Sequence, residues 1–371
     1  MIWGAWRRQS KAAGLIRFSF LLALFVGTTR AFSGAVAQDN PEDPAFTSPD
    51  MQQFRDQLDR FQRDRPRGAD GRRDGVSEED QVRLFTQILQ RGGQKGIYGT
   101  DDRKDLHEVR DPRVKTRALA SVALFREDQG QIEINQQGGI KVKAATLGAL
   151  QGLCENERFH KQVAGAFCSA VLIKDNMVAT AGHCIREVNY DPEEPAPYLS
   201  EIKFVFGYST ARAGDPGRTS FPRDRVFRGK QVVASGFDET KGEDWAVVEL
   251  TDRVPASIGS PATPISSTRI ADKRRVYVLG YPDGLPLKYA PGAWVRDNSK
   301  TSFFVANLDT FGGNSGSPVF DSQTNALVGL LVRGGADYLY SKRDKCYRPF
   351  PCPDTGCDGE EVMRIERVQL P

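Results

Sequence analysis

Three short stretches carry side chains whose types and spacing suit nucleophilic acyl transfer. The first is Phe311-Gly312-Gly313-Asn314-Ser315-Gly316-Ser317-Pro318. Glycines on both sides of a serine permit backbone dihedrals that a Cβ forbids, so Ser315 can sit on a tight turn with its oxygen exposed. Such a turn also aims successive N–H groups into one concavity, which suits a developing oxyanion. Gly-Ser strings are common in ordinary loops, so this one gains weight only from its company. The second stretch, Cys168 to Cys184, reads as a β-hairpin: an apolar run, a Lys174-Asp175-Asn176 turn, a second apolar run, then His183. A serine hydroxyl is a weak nucleophile at neutral pH and needs an imidazole within hydrogen-bond reach. A Cys168–Cys184 bridge across the hairpin would fix the loop that carries this one. The imidazole in turn needs a buried carboxylate to hold its tautomer and stabilise its charged form. Asp244, at the entry of the apolar run Trp245–Leu250, offers one, although an acid before a strand is often a turn cap.

Bringing three distant stretches together requires a scaffold, and the sequence from Ile97 onward predicts one made of strands. Short β-like runs recur at Ala118–Phe125, Ala170–Ile173, Met177–Thr180, Lys203–Gly207, Trp245–Leu250, Arg275–Tyr281, Phe303–Leu308, Ser317–Phe320 and Leu327–Val332, with a last one over Glu361–Val368. Gly, Pro, Asp and Asn separate them, and no long helical period intervenes. This pattern predicts an all-β barrel or sandwich. Residues 97–371 suffice for a pair of barrels sharing one interface.

Thr180-Ala181-Gly182-His183-Cys184, Asp244-Trp245-Ala246 and Gly313-Asn314-Ser315-Gly316-Ser317-Pro318, in that order, resemble the three signature blocks of the chymotrypsin/trypsin superfamily of serine peptidases. The similarity is nearest to bacterial secreted peptidases of the glutamyl-endopeptidase (V8-like) kind and covers most of residues 97–371. The order His, Asp, Ser along the chain is the chymotrypsin order, whereas other folds bearing this triad use different ones. The resemblance implies two six-stranded antiparallel β-barrels with the active site between them. It implies a serine endopeptidase that acts on protein or peptide substrates through an acyl-enzyme and uses no cofactor and no metal. Carried over by position, Ser315 is the nucleophile, His183 the general base and then acid, and Asp244 its orienting acid. The N–H groups of Gly313 and Ser315 form the oxyanion hole. An inactive homologue serving as a secreted binding protein is the alternative, and the intact triad speaks against it.

Substrate selection is expected at Asp309, Thr310, Arg333 and Gly334. Asp309 lies six residues before Ser315, the offset at which trypsin-like enzymes that prefer Lys or Arg keep their pocket aspartate; its bland role is a turn cap near Thr310. The run Gly329-Leu-Leu-Val-Arg-Gly-Gly335 lacks the histidine of glutamyl-specific enzymes, and Arg333 is the group there that can receive an acid. Asn314 is neutral where trypsin-type zymogens hold an aspartate, so activation by an ion pair with a newly cut N-terminus is not expected.

Residues 1–37 read as a secretory signal peptide: Arg7, Arg8, Lys11 and Arg17, then the apolar Phe18–Val26, then Ala35-Val36-Ala37. The apolar run is too short for an unaided membrane span. These residues hold five basic groups and no acid, so the net charge of +3 becomes −2 without them. Such a chain has no electrostatic claim on nucleic acid or an anionic bilayer, and the expectation is a secreted or periplasmic monomer. The six cysteines fit an oxidising compartment. Zinc fits poorly, since Cys352 and Cys357 are five apart and there are only three histidines. With Cys168 and Cys184 paired, Cys154 must join Cys346, Cys352 or Cys357. Residues 38–96 carry 12 acids and 10 bases in 59 residues. Two stretches there suit helices, Met51–Gln62 and Val76–Arg91, around a segment that cannot bury a core. They read as a propeptide, a solvated tail or a partner-binding arm, with Arg72-Arg73 or Lys95 as basic cut points.

Overall fold

Six strands form the first sheet: β1 (Ser121–Arg126), β2 (Cys168–Lys174), β3 (Met177–Thr180), β4 (Ile202–Phe206), β5 (Val226–Asp238) and β6 (Glu243–Leu250). They close into an antiparallel barrel in the order β5-β6-β3-β2-β1-β4. The computed structural model that shows this describes residues 96–371 apart from 129, 186–198, 239, 335, 336 and 342. The signal peptide and the charged segment with its two expected helices lie outside the described residues. Residues 93–371 pack as one unit. No helix among the described residues is long and apolar enough to cross a membrane.

The second barrel contains β7 (Val276–Gly280), β8 (Lys288–Ala290), β9 (Val295–Asp297), β10 (Phe303–Ala306), β11 (Pro318–Asp321), β12 (Leu327–Arg333) and β13 (Glu360–Arg364). They pair in the order β9-β10-β13-β12-β11-β7-β8, and Lys104–Asp105 adds an eighth, edge strand to β8. Strands β8 and β9 are one strand interrupted at Pro291-Gly292, where proline supplies no N–H and Gly292 takes φ +86°. Beyond the interruption the Val295 N–H reaches Arg274 O and Arg275 bridges Trp294, beside the start of β7. The sheet therefore returns to its beginning. Counting β8 and β9 together, this is the second six-stranded barrel.

The barrels meet in a shared core, and the second has a further cluster of its own around Val278, Phe304, Val319 and Leu331. Val122, Leu124, Leu172, Phe204 and Val248 of the first are buried in the same cluster as Leu279, Phe320 and Leu330 of the second. Tyr208, just after β4, stacks on Tyr281, just after β7, with centroids 5.9 Å apart and planes 14° apart. Its buried hydroxyl donates to Val163 O and Gly284 O. The side chain thus spans the seam by both its ring and its oxygen.

Several boundaries differ from expectation for local reasons. The run expected at Ala118 starts at Ser121 because Pro112–Ala118 is a helix, N-capped by Asp111 with proline in its first turn. The last strand stops at Arg364, where Ile365–Arg367 tightens into a 3-10 turn. The longest strand, β5, was not anticipated. Its residues are mostly half-exposed or exposed and it holds Gly229 and Gly236, so it has neither a continuous apolar run nor clean alternation.

Replacing Tyr208 by Phe removes the hydroxyl and leaves Val163 O without its donor, while Gly284 O keeps the N–H groups of Gly165 and Ala166. The cost should be about 1–3 kcal/mol. A lowered denaturant midpoint with an unchanged slope is the expected result.

Candidate active site

β3 and β6 are neighbours, with Thr180 paired to Ala246. His183 sits three residues beyond Thr180 and Asp244 two residues before Ala246. Antiparallel pairing therefore carries both to the same end of the barrel. Asp244 is buried, and its Oδ2 lies 2.7 Å from His183 Nδ1. Its Oδ1 accepts the backbone N–H of His183 at 3.0 Å, so ring and backbone are gripped together. A Cβ at Gly182 would stand 3.1 Å from Asp244 Oδ1 and 3.2 Å from Trp245 N. Glycine gives the turn room to close on the acid. With Nδ1 turned to Asp244, Nε2 is the nitrogen left to exchange a proton.

Ser315 comes from the second barrel, on the turn before β11. Gly313 and Gly316 flank it with φ +79° and +86°, a region that favours glycine. A Cβ on Gly316 would fall 2.0 Å from Ser169 O and 2.3 Å from Thr180 Oγ1. Only a glycine lets the turn press this closely on β2 and β3. Ser169 then ties the contact: its N–H donates to Ser315 O at 2.8 Å, and its hydroxyl donates to Gly313 O at 2.8 Å. Thr180 Oγ1 donates to Ser169 O at 2.6 Å. Ser315 O lies 3.5 Å from Cys184 Sγ, one residue from His183. Among the described residues the N–H groups of Gly313 and Ser315 meet no acceptor, so both remain available to an incoming oxygen. Among the described residues no hydrogen bond joins Ser315 Oγ to the His183 ring, a contact that commonly tightens only with substrate bound.

The Cys168–Cys184 disulfide is present, at a Cα separation of 6.1 Å. It anchors both ends of the β2–β3 hairpin beside His183. The other pairs are Cys154–Cys346 and Cys352–Cys357. Cys168, His183 and Cys184 cluster within 4.8 Å, but both sulfurs are spent in the disulfide and offer no thiolate to a metal.

The four residues expected to contact substrate fall in different settings. Thr310 is fully buried and its hydroxyl donates to the Glu360 carboxylate. Asp309 is 5% exposed. Its Oδ1 accepts from Tyr98 N–H at 2.7 Å and its Oδ2 from Asp102 N–H at 3.3 Å. Burial pushes its carboxyl up to about 7, against the pull of those donors. Asp309 therefore works here as an anchor for the N-terminal segment, because both its oxygens are engaged by backbone. Arg333 ends β12, directly before Gly334. Its Nε donates to Glu361 Oε2 at 2.7 Å, and its Nη1 stands 4.0 Å from Asp244 Oδ2. An open cleft of about 880 Å³ lies on this side of the site, lined by His183, Phe237, Lys241, Asp244, Phe303 and Arg333 among others. Sequence reasoning missed Ser169 and the Arg333–Glu361 pair. For Ser169 a signal existed: a polar residue inside an apolar strand, next to a cysteine.

A family profile described as the trypsin-like peptidase domain matches residues 168–330. The glutamyl endopeptidase of Bacillus licheniformis is 30% identical over 186 residues, which are 46% of this chain and 54% of that protein. The chain thus spans about half the length of the curated relative it matches. Among solved structures, a Glu endopeptidase in complex with MPD aligns over 72% of this chain and 94% of its own, at 16% identity and a TM-score of 0.39. The active form of the Rv3671c protease from M. tuberculosis aligns over 71% and 84%, at 15% identity and a TM-score of 0.38.

Asp309 makes stability depend on pH. Its native carboxyl titrates near 7, above the 3.8 of an unperturbed aspartate. The folded chain therefore holds the proton that the unfolded chain releases, and stability falls as pH rises from about 4 to about 7. Asp102, pushed up to about 6 by burial and by Asp101, acts in the same direction. Asp309→Asn keeps an acceptor oxygen and removes the titration. Its stability relative to the unsubstituted protein should rise by a few kcal/mol, order of magnitude, across that window. Denaturant titrations of both proteins at pH 4, 5.5 and 7.5 check this; a constant difference would contradict it.

Proposed function

We propose that this chain, whose residues 168–330 match the trypsin-like peptidase domain profile, hydrolyses peptide bonds as an exported serine endopeptidase, with His183, Asp244 and Ser315 as its catalytic residues. One observation carries the proposal: the buried Asp244 grips His183 at Nδ1, and the glycine-flanked Ser315 turn is stitched onto the strands that lead to that histidine. The reaction follows from this arrangement. Ser315 Oγ attacks the scissile carbonyl carbon while its proton passes to His183 Nε2. The carbonyl oxygen becomes an oxyanion facing the N–H groups of Gly313 and Ser315, and Asp244 stabilises the imidazolium that has formed. Collapse expels the amine, which takes the proton from His183 and leaves an acyl-enzyme on Ser315. Water then repeats the cycle, giving its proton to His183 and its oxygen to the acyl carbon. No step calls for a cofactor, and a monomer holds every group named.

A preference for Lys or Arg before the scissile bond rests on the offset of Asp309 from Ser315. Its engagement by two backbone N–H groups weighs against that role. Thr310 and Glu360 remain beside it as buried polar neighbours, and Arg333 with Lys241 borders the cleft next to His183. The relative's name, glutamyl endopeptidase, favours an acidic residue instead. Cleavage of a peptide library chooses between these: cuts after Glu favour the relative's preference, and cuts after Lys or Arg return Asp309 to the pocket.

Ser315→Ala should lower kcat for the best library peptide by about 10⁶-fold and Asp244→Asn by about 10⁴-fold, with KM little changed. Wild-type protein that cleaves no peptide would leave only the binding-protein reading, and a Ser315→Ala variant that keeps its rate would overturn Ser315 as the nucleophile.

A further inference from the structure

We propose that residues 96–105 are a built-in activating strap, which holds the oxyanion loop in its working shape from the N-terminal side, with Arg103 as the positioning residue. The inference rests on the serine-peptidase reading. The strap is pinned at both ends, to residues 350–352 at one and to the second barrel at the other. Ile97 N–H donates to Phe350 O at 3.0 Å and Gly99 N–H to Cys352 O at 2.8 Å. The Tyr98 hydroxyl accepts from Gly359 N–H at 3.0 Å, and Lys104–Asp105 pairs with β8. Between these ends the segment takes hold of Asp309 and Phe311, the residues that lead into Gly312 and Gly313.

The grip has two parts. Tyr98 and Asp102 donate backbone N–H groups to the two oxygens of Asp309. Arg103, 2% exposed, lays its guanidinium carbon 4.4 Å from the centroid of the Phe311 ring. Asp101 fixes its Nε and Nη2 at 2.9 Å each. Nη1 meets no acceptor among the described residues, so the ring and its surroundings are what hold that side of the cation. Phe311 also stacks on Tyr338 at 5.0 Å, and the Tyr338 hydroxyl bonds the Asp283 carboxylate. The next residue is fixed too: Gly312 donates to Asp337 Oδ2 at 2.8 Å, and its carbonyl accepts from Asp283 N–H. A glycine pair has little conformational preference of its own. The Asp283 N–H on Gly312 O and the Ser169 hydroxyl on Gly313 O hold it from one side, and the Arg103–Phe311 contact sets the backbone that enters it from the other. Asn314 bears no charge with which to draw in a cut N-terminus. Its side-chain oxygen instead accepts from Ser317 Oγ at 3.2 Å. The order that an ion pair at that position would supply comes here from Arg103 on Phe311 and from Asp309; Phe311 and Asp309 lie three and five residues before Asn314.

The test uses the full chain with Arg103→Met and Arg103→Lys. Functional sites are counted with a fluorophosphonate, and kcat and KM are expressed per labelled site on one library peptide. A peptidyl aldehyde of the same sequence reports on the oxyanion hole, because its adduct oxygen occupies that hole. In Arg103→Met, kcat and aldehyde affinity should both fall about tenfold or more, as for weakened oxyanion donors, with KM within about twofold. Arg103→Lys, which keeps a cation over Phe311, should recover part of the loss. Arg103→Met with unchanged kcat and aldehyde affinity per labelled site would overturn the strap, even if its melting temperature fell. Wild-type protein that takes no label would overturn the peptidase reading and the strap with it. If Arg103→Met does not fold, amide hydrogen exchange on Arg103→Lys decides. Faster exchange over 309–316, with the β1–β6 amides unchanged, is expected; unchanged protection over 309–316 would overturn the proposal.

Discussion

The contact between Gly316 and the carbonyl of Ser169 is the constraint on which the rest of the site depends. Ser315, the proposed nucleophile, belongs to one barrel and His183, its proposed base, to the other, so the proposed chemistry requires their backbones to meet within atomic contact. Any side chain at residue 316 would hold them apart, since a Cβ there would already overlap Ser169 O. Ser169 turns closeness into registration by bonding the backbone on each side of Asn314: its N–H meets Ser315 O and its hydroxyl meets Gly313 O. The seam is thus held by short polar contacts at the site and by the Tyr208–Tyr281 stack deeper in the shared core.

The first barrel solves an easier problem. His183 and Asp244 need only emerge from the same end of two paired strands, which the Thr180–Ala246 register guarantees. Backbone and ring of His183 both bond to one carboxylate, so the imidazole has little freedom to turn. The Cys168–Cys184 bridge closes the hairpin from the other side. Arg333 places its guanidinium 4.0 Å from the buried Asp244 carboxylate. That arrangement sets the field around the proposed triad.

What the sequence made legible was what local chemistry determines. The glycines around Ser315, the hairpin before His183 and the acid at the mouth of β6 each announce a backbone shape within a few residues. Most strands with continuous apolar runs were legible for the same reason. Contacts across long separations were not. Asp309 has the offset of a pocket acid, but its oxygens are taken by a segment 211 and 207 residues away in sequence, which no local pattern reveals. The pairing of Cys154 with Cys346 was one of three possibilities until the fold brought Leu153 alongside Tyr347. Strand β5 escaped notice because it is largely half-exposed, and β8 and β9 because Pro291-Gly292 splits one strand into two short pieces.

In the proposed mechanism Asp244 holds the His183 imidazole with its proton on Nδ1 and Nε2 open to Ser315. Nitrogen-15 NMR of the imidazole in its neutral form tests this most directly, since the two ring nitrogens give distinct signals according to which is protonated. A protonated Nδ1 and a bare Nε2 are expected, with the Asp244→Asn variant shifting the proton toward Nε2. A neutral ring protonated at Nε2 in the unsubstituted protein, or one indifferent to Asp244→Asn, would contradict it.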